Sequence, residues 1–204
     1  MPAWFNRLQI IDSTTISLFS NLIFKGVGRH PKTGKKKGGI KVHTNIHANE
    51  FGPSDIKFTS AATNESFMLK PSNYNDGDII AMDRAYIDYA RFEGLTNRGV
   101  TYVTKMKKNL VYDTLSDTMY MLPCGLMECR VQVVEFRKHI KGGENIKHKA
   151  RIVTYVDPAK KKAKVISLLT NDMTMEVEDI IDIYRQRWEI ELLFKQLKQN
   201  FPLR

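Results

Sequence analysis

Two aspartates and one charged helix face are the places where this sequence could do chemistry. Asp12 closes the apolar run Leu8-Gln-Ile-Ile-Asp12, and Asp83 closes a second, Asp78-Ile-Ile-Ala-Met-Asp83. Parallel and mixed sheets gather ligands at strand ends, so both carboxylates could lie side by side at one edge of a sheet. An aspartate after a strand also serves as a turn former, and two acids need a third before they amount to a site. Tyr184, Arg187, Glu191 and Lys198 are the other candidates. At about 100° per residue they fall within roughly 60° of one another on a helix, with Lys195 and Trp188 beside them. Ile183, Ile190, Leu193 and Leu197 form a separate apolar stripe. The charged face can equally be a solvated one, laced by i,i+4 pairs of Arg187 with Glu191 and of Glu191 with Lys195.

The elements that must position these groups follow from hydrophobic period and turn chemistry. A strand is expected to end near Asp12. Residues 39–48 alternate Ile40, Val42, Thr44 and Ile46 against Lys41, His43, Asn45 and His47, which predicts a strand whose second set faces water. Residues 55–60 read as a third strand, and residues 61–70 as a helix stopped by Pro71. After the apolar strand that closes on Asp83, residues 86–98 read as a helix, with Gly99 where a C-cap belongs, and residues 100–105 as a strand. Residues 111–168 lack helical periodicity and read as an all-β insertion of four strands, near residues 119–121, 126–136, 150–156 and 165–169. Residues 176–199 form one long helical pattern with Asn171 and Asp172 as capping candidates. The expected division is residues 1–110 as the first part of an α/β core, 111–168 as the insertion, and 169–204 carrying the last core helix.

With 204 residues, of which 42% are hydrophobic, the chain can build a sizeable core and is not a disordered tail. Lys and Arg total 32 against 22 Asp and Glu, a net charge of +10, which favours a polyanionic partner such as nucleic acid or an anionic membrane surface. Lys25, Arg29, Lys32, Lys35, Lys36, Lys37 and Lys41 crowd one glycine-rich loop, either a solvated linker or a phosphate contact. Lys160-Lys-Lys-Ala-Lys164 marks a second basic turn. Cys124 and Cys129 are too few for a disulfide framework or a zinc site and read as reduced thiols of a cytosolic protein. Residues 13–24 are uncharged but too short and too polar to span a membrane.

Residues 184–198, Tyr184-Arg-Gln-Arg-Trp-Glu-Ile-Glu-Leu-Leu-Phe-Lys-Gln-Leu-Lys198, resemble the Y-(2)-R-(3)-E-(6)-K signature of DDE-type insertion-sequence transposases, the group that includes insertion sequence 4. Tyr184, Arg187, Glu191 and Lys198 meet every spacing. Ile10-Ile-Asp-Ser-Thr14 is similar to the family's first-aspartate strand, Lys41-Val-His43 to the strand that follows, Ala81-Met-Asp-Arg-Ala-Tyr86 to its second-aspartate motif, and Tyr102-Val-Thr-Lys-Met-Lys-Lys-Asn109 to the next strand. The family often has glycine where Ala85 stands. A β-rich insertion between the second aspartate and the glutamate is also characteristic of the group.

The resemblance implies an RNase H-like mixed sheet flanked by helices, with an all-β insertion before the last helix, that gathers Asp12, Asp83 and Glu191 into one site. These three are the implied catalytic and metal-binding residues. Oxygen-only ligands suit Mg²⁺ or Mn²⁺, and two such ions about 3.5–4 Å apart can drive in-line displacement at phosphorus. Tyr184, Arg187 and Lys198 are implied to engage transposon-end DNA, with Lys195, Arg84 and Lys41 as further DNA-binding candidates. The implied partner is double-stranded DNA, both transposon ends and target, without a membrane, and a homodimer in a synaptic complex is kept open. His43 reads as structural or DNA-facing, and Tyr86, Trp188 and Phe194 as packing residues. Two alternatives share the carboxylates: an RNase H-like nuclease without strand transfer, and an inactive remnant that only binds DNA. The second arises because family members usually extend beyond this chain at both ends, which makes it read as truncated.

Overall fold

The computed structural model describes residues 1–17, 39–50, 53–122, 128–139, 143, 145–157 and 164–200. The basic loop at residues 25–38, Cys124, and most of the turns near residues 141–145 and 158–163 lie outside the described residues. A mixed α/β architecture is built on one nine-stranded sheet in the order β3-β2-β1-β4-β5-β9-β8-β7-β6.

The strands that carry the motifs are β1 (Leu8–Ser17), β2 (Gly39–His47), β3 (Pro53–Ser60), β4 (Ile79–Met82) and β5 (Thr101–Lys105). β1, β4 and β5 run parallel, while β2 and β3 pair antiparallel beyond β1. The remaining strands, β6 (Tyr112–Met121), β7 (Glu128–Lys138), β8 (Ile146–Asp157) and β9 (Lys164–Thr170), form an antiparallel meander. β9 pairs antiparallel with β5, so the meander continues the same sheet. Among the described residues two α-helices cover the sheet: α1 (Tyr89–Thr96) leads from β4 to β5, and α2 (Val177–Asn200) follows β9.

The alternation of side chains sorts the core into two layers. Leu8 and Ile10 of β1, Ile79 and Ala81 of β4, and Val103 of β5 pack with Val177, Ile180, Ile181 and Ile183 of α2. Ile11, Ile80, Met82 and Tyr102 point the other way, into a second cluster with Phe92 and Leu95 of α1. β4 is buried at every position, as expected for a strand covered on both faces.

Several sequence expectations are corrected. β1 does not stop near Asp12 but continues to Ser17 through its pairing with β2. Residues 61–70 form only a 3-10 turn, Glu65–Met68, capped by the Asn64 side chain accepting from Ser66 N. Thr63, Asn64 and Ser66 favour caps and turns, and Pro71 leaves no room to elongate. The second helix shrinks to α1, preceded by a 3-10 turn at Arg84–Tyr86. Asp172 does not cap α2: its Oδ1 accepts from Thr174 and Met175 N, shaping the turn before the helix. Asn171 instead pins β5, accepting from Tyr102 N and donating to Val100 O. The face of β2 expected to be wet is the more enclosed one at Lys41 and His43, 6% and 0% exposed. Gly99 does sit at the helix exit with φ +70°, where a Cβ would run into Asp76 Oδ1. Among the described residues no helix is long and apolar enough to cross a membrane.

A buried polar chain ties the meander to the helix layer. His148 of β8 is fully buried, with Nε2 2.7 Å from the Tyr102 hydroxyl and Nδ1 2.8 Å from Glu93 Oε2. Burial depresses the His148 pKa below its ordinary 6.5, with Glu93 opposing; Tyr102 and Glu93 are the titratable groups bonded to it. The folded protein therefore binds this proton less readily than the unfolded chain, so stability is kept above pH 6.5 and falls as the pH drops below it. Asp12, raised from 3.8 to about 6, has the opposite slope between those values. Comparison with His148→Gln isolates the histidine: the wild-type melting temperature is expected to fall more steeply from pH 7 towards pH 5.5 than that of the variant. Parallel curves would show that His148 is not a net proton sensor.

Candidate active site

The parallel register sets two of the acids. Ile11 is paired with Met82, so Asp12 and Asp83 are the next residues on neighbouring strands, at the C-terminal end of the parallel pair. Each lies two residues beyond an apolar side chain that packs under α2, Ile10 and Ala81, and so faces the same helix. Asp12 Oδ1 accepts from Ser13 N at 2.8 Å. Asp83 caps the 3-10 turn after β4, its Oδ1 accepting from Ala85 N at 2.9 Å.

The third acid comes from α2. The helix is seated by Ile180, Ile181, Ile183 and Ile190, and its first turn is held by Trp4 Nε1 donating to Asp179 Oδ1 at 2.7 Å. That places Tyr184, Arg187 and Glu191 over the ends of β1 and β4. Arg187 is only 3% exposed. Its Nη1 donates to Asp12 Oδ2 at 3.3 Å, and its Nη2 donates to Glu191 Oε1 at 2.5 Å and lies 3.8 Å from Asp83 Oδ2. All three carboxylates thus meet at one guanidinium. Arg187 also lies 5.6 Å from the centre of the Tyr184 ring, a cation–π contact, while its buried Nε has no hydrogen-bond partner.

The electrostatics follow from this packing. Burial pushes the Asp12 carboxyl up to about 6, although Arg187 and the Ser13 N–H favour its ionised form. Burial opposes the charge on Arg187, but Tyr184, Asp12 and Glu191 hold its pKa above the usual guanidinium value. Asp12 is the enclosed acid, with 12% of its side chain exposed against 35% for Asp83 and 42% for Glu191. All three line a cleft of about 580 Å³, with Ser13, Glu65, Tyr86, Phe194 and Lys195.

The other expected residues are placed unevenly. Lys195 reaches the cleft, and Arg84 lies beside it in an adjoining depression that Lys107 also lines. Lys41 is turned to the opposite face of β2 from Asp12's partner Thr44, and its Nζ donates to Glu65 Oε1 and Thr63 O, both at 2.6 Å. Tyr184 is buried, with 4% exposure, so its ring is not an open stacking surface. The Lys198 side chain lies outside the described residues, as do those of Leu193 and Leu197. His43 is a core residue with Nε2 2.8 Å from Thr59 Oγ1, and burial and Lys41 lower its pKa. Trp188, expected to pack, is 45% exposed.

Sequence reasoning missed Glu65, which closes no strand and carries no motif, and the Tyr86 hydroxyl, which is buried at the cleft beside Ser13. Glu65 is brought to the site by tertiary packing invisible in sequence: its turn packs against the Arg84–Tyr86 turn and its carboxylate pairs with Lys41. The donor set fits a hard divalent cation: every candidate ligand oxygen is a carboxylate, and the three converge on a place already holding positive charge. Among the described residues no three His, Cys, Asp or Glu side chains stand close enough to share one ion, since they are arranged around the guanidinium.

Known proteins are similar to this chain over nearly all of its length. A Synechocystis sp. protein named for insertion sequence element IS4SA is 28% identical over 205 residues, covering 95% of this chain and 51% of its own length. A Geobacillus stearothermophilus protein named "Probable transposase for insertion sequence element IS5377" is 25% identical, covering 96% of this chain and 49% of its own length. The "Transposase for insertion sequence element IS231C" of Bacillus thuringiensis subsp. berliner is 22% identical, covering 98% and 51%. The chain spans about half the length of the curated relatives it matches. The family model described as "Transposase DDE domain" matches residues 3–204, a span that takes in Asp12, Asp83 and Glu191, and the chain belongs to that family.

Proposed function

We propose that this chain is the catalytic domain of an insertion-sequence transposase, cleaving phosphodiester bonds and joining strands of double-stranded DNA in a metal-dependent reaction on an RNase H-like fold. The observation that carries this reading is the convergence of Asp12, Asp83 and Glu191, from two parallel strands and one distant helix, on a single positive charge. Family membership supports it.

Asp12, Asp83 and Glu191 would hold Mg²⁺ or Mn²⁺, which, when bound, activates the attacking oxygen and stabilises the leaving one. The residues of the chain do the rest. Ser13 N and Ala85 N each fix one carboxylate oxygen, so the acids are oriented before anything binds. Lys195 and Arg84 put positive charge at the cleft mouth, where a DNA phosphate must approach past the acids. In the joining step a DNA 3′-hydroxyl oxygen attacks phosphorus, one P–O bond forms as another breaks, and the displaced strand leaves with a new 3′-hydroxyl. No protein nucleophile is needed, so Ser13 and Tyr184 have no covalent role. Two transposon ends call for two such sites, consistent with a homodimer in a synaptic complex.

The test is a strand-transfer assay with Mn²⁺, pre-cleaved ends of the element and a target duplex, run beside Asp12→Ala. Joined product from the wild type and none from the variant is the expected result. Target nicking without joining would indicate a nuclease, and equal product from both proteins would remove Asp12 from the site.

A further inference from the structure

Arg187 holds an unusual position for a residue expected to grip DNA. Its guanidinium is almost wholly buried at the wall of the cleft, beside the Tyr184 ring and hydrogen-bonded to carboxylates that are proposed to hold metal. The charge is permanent, so it cannot leave by deprotonation. It can only be displaced, or drawn to another anion.

The seat is a loose one. Only the Glu191 contact is short; those to Asp12 and Asp83 stretch to 3.3 and 3.8 Å. One donor, Nε, is buried without a hydrogen-bond partner, so the present seat leaves part of the guanidinium's bonding capacity unused. A single positive charge also faces three acids. A DNA phosphate offers a planar guanidinium two parallel hydrogen bonds, and Arg187 already lines the cleft through which that phosphate would come.

We infer that Arg187 is a built-in competitor for the cation site: in the metal-free protein it clamps Asp12, Asp83 and Glu191 together, and it releases them when a backbone phosphate takes its place as partner. This rests on the metal-site reading above and adds to it a direction of coupling. DNA at the cleft tightens divalent-cation binding, and the cation tightens DNA by the same factor, since binding couplings are reciprocal. Free protein is thereby kept from loading metal fully away from its substrate. Arg187 acts here as a positioning residue whose effect passes through the carboxylates.

The experiment measures Mn²⁺ binding to the whole chain by the electron paramagnetic resonance of unbound Mn²⁺, with and without a short DNA duplex, for wild type, Arg187→Gln and Asp83→Asn. Without DNA, Arg187→Gln is expected to bind Mn²⁺ about tenfold more tightly than wild type, within the usual range of two-site coupling. The duplex should tighten Mn²⁺ binding by a similar factor in wild type and by clearly less in Arg187→Gln. A phosphate acting merely as an extra metal ligand would leave the duplex effect equal in both proteins, and that result overturns the inference. So does unchanged or weaker Mn²⁺ binding by Arg187→Gln, which is what a purely structural ion pair predicts. If Asp83→Asn binds Mn²⁺ as well as wild type, the metal reading itself fails. If Asp83→Asn loses binding while Arg187→Gln gains none, only the competitor role fails. Should Arg187→Gln not fold, the wild-type chain still decides: no tightening by the duplex overturns the inference.

Discussion

Asp83→Asn and Glu191→Gln are each expected to lower divalent-cation-dependent strand cleavage by about a thousandfold or more, with the fold retained. A cation that stabilises charge on phosphorus-bound oxygens contributes several kcal/mol to the transition state, and about 4 kcal/mol corresponds to a thousandfold in rate. Both substitutions keep side-chain shape and remove a charge. Asparagine at position 83 can still accept from Ala85 N and cap its turn, so the local backbone has no reason to move. Glutamine at position 191 gives up one charged bond to Arg187, which keeps its contacts to Asp12 and Asp83. The check is initial cleavage rate on a transposon-end duplex at fixed Mg²⁺, with thermal melting run in parallel. Cleavage within tenfold of wild type by either variant, with melting unchanged, would sink the assignment of that carboxylate.

Phe92→Ala has the largest effect expected on stability, a loss of about 3–5 kcal/mol, as for other buried aromatic truncations. Phe92 is fully buried and stacks on Tyr102, with ring centroids 3.9 Å apart and an interplanar angle of 21°. It also stands 5.9 Å from the His148 ring, over the polar chain that links α1, β5 and β8. Its removal leaves a cavity where the helix, a parallel strand and the meander meet, and relaxation on any side is blocked by the other two. Against a total stability of about 5–15 kcal/mol for a domain, such a loss threatens folding at physiological temperature. Urea denaturation reads it directly. A change under 1 kcal/mol would mean that α1 does not pack on the sheet as described.

Much of the fold was legible because its longest signals are local. α2 follows from an unbroken helical pattern, and β4 and β5 follow from short apolar runs bounded by turn residues. The losses came where a distant partner overrode a local pattern. Lys41 and His43 alternate with apolar residues and so read as a wet face, yet Lys41 is enclosed because Glu65 and Thr63 O meet its charge from another segment. Residues 61–70 have apolar positions enough for a helix. Met68 and Leu69 are buried from a 3-10 turn instead, since the polar residues before them cap rather than propagate. The meander reads as an insertion by its lack of helical period, but nothing local says that β9 pairs with β5 to make one sheet.

The sequence by itself determined the chemical types and their order: two strand-end aspartates, a glutamate on a long helix, the arginine one turn before it, and a basic excess suited to DNA. Spacing along a strand or helix depends only on backbone geometry, so those features survive without the fold. The tertiary structure alone decided that Asp12 is the enclosed acid, that Lys41 faces Glu65, and that Arg187 points inward among the acids. A charged side chain's state depends on its burial and on which opposite charges fold beside it, and both are set by segments far apart in the chain. The helix face that reads from sequence as a grip for phosphate is therefore, in the folded protein, first of all a clamp on its own carboxylates.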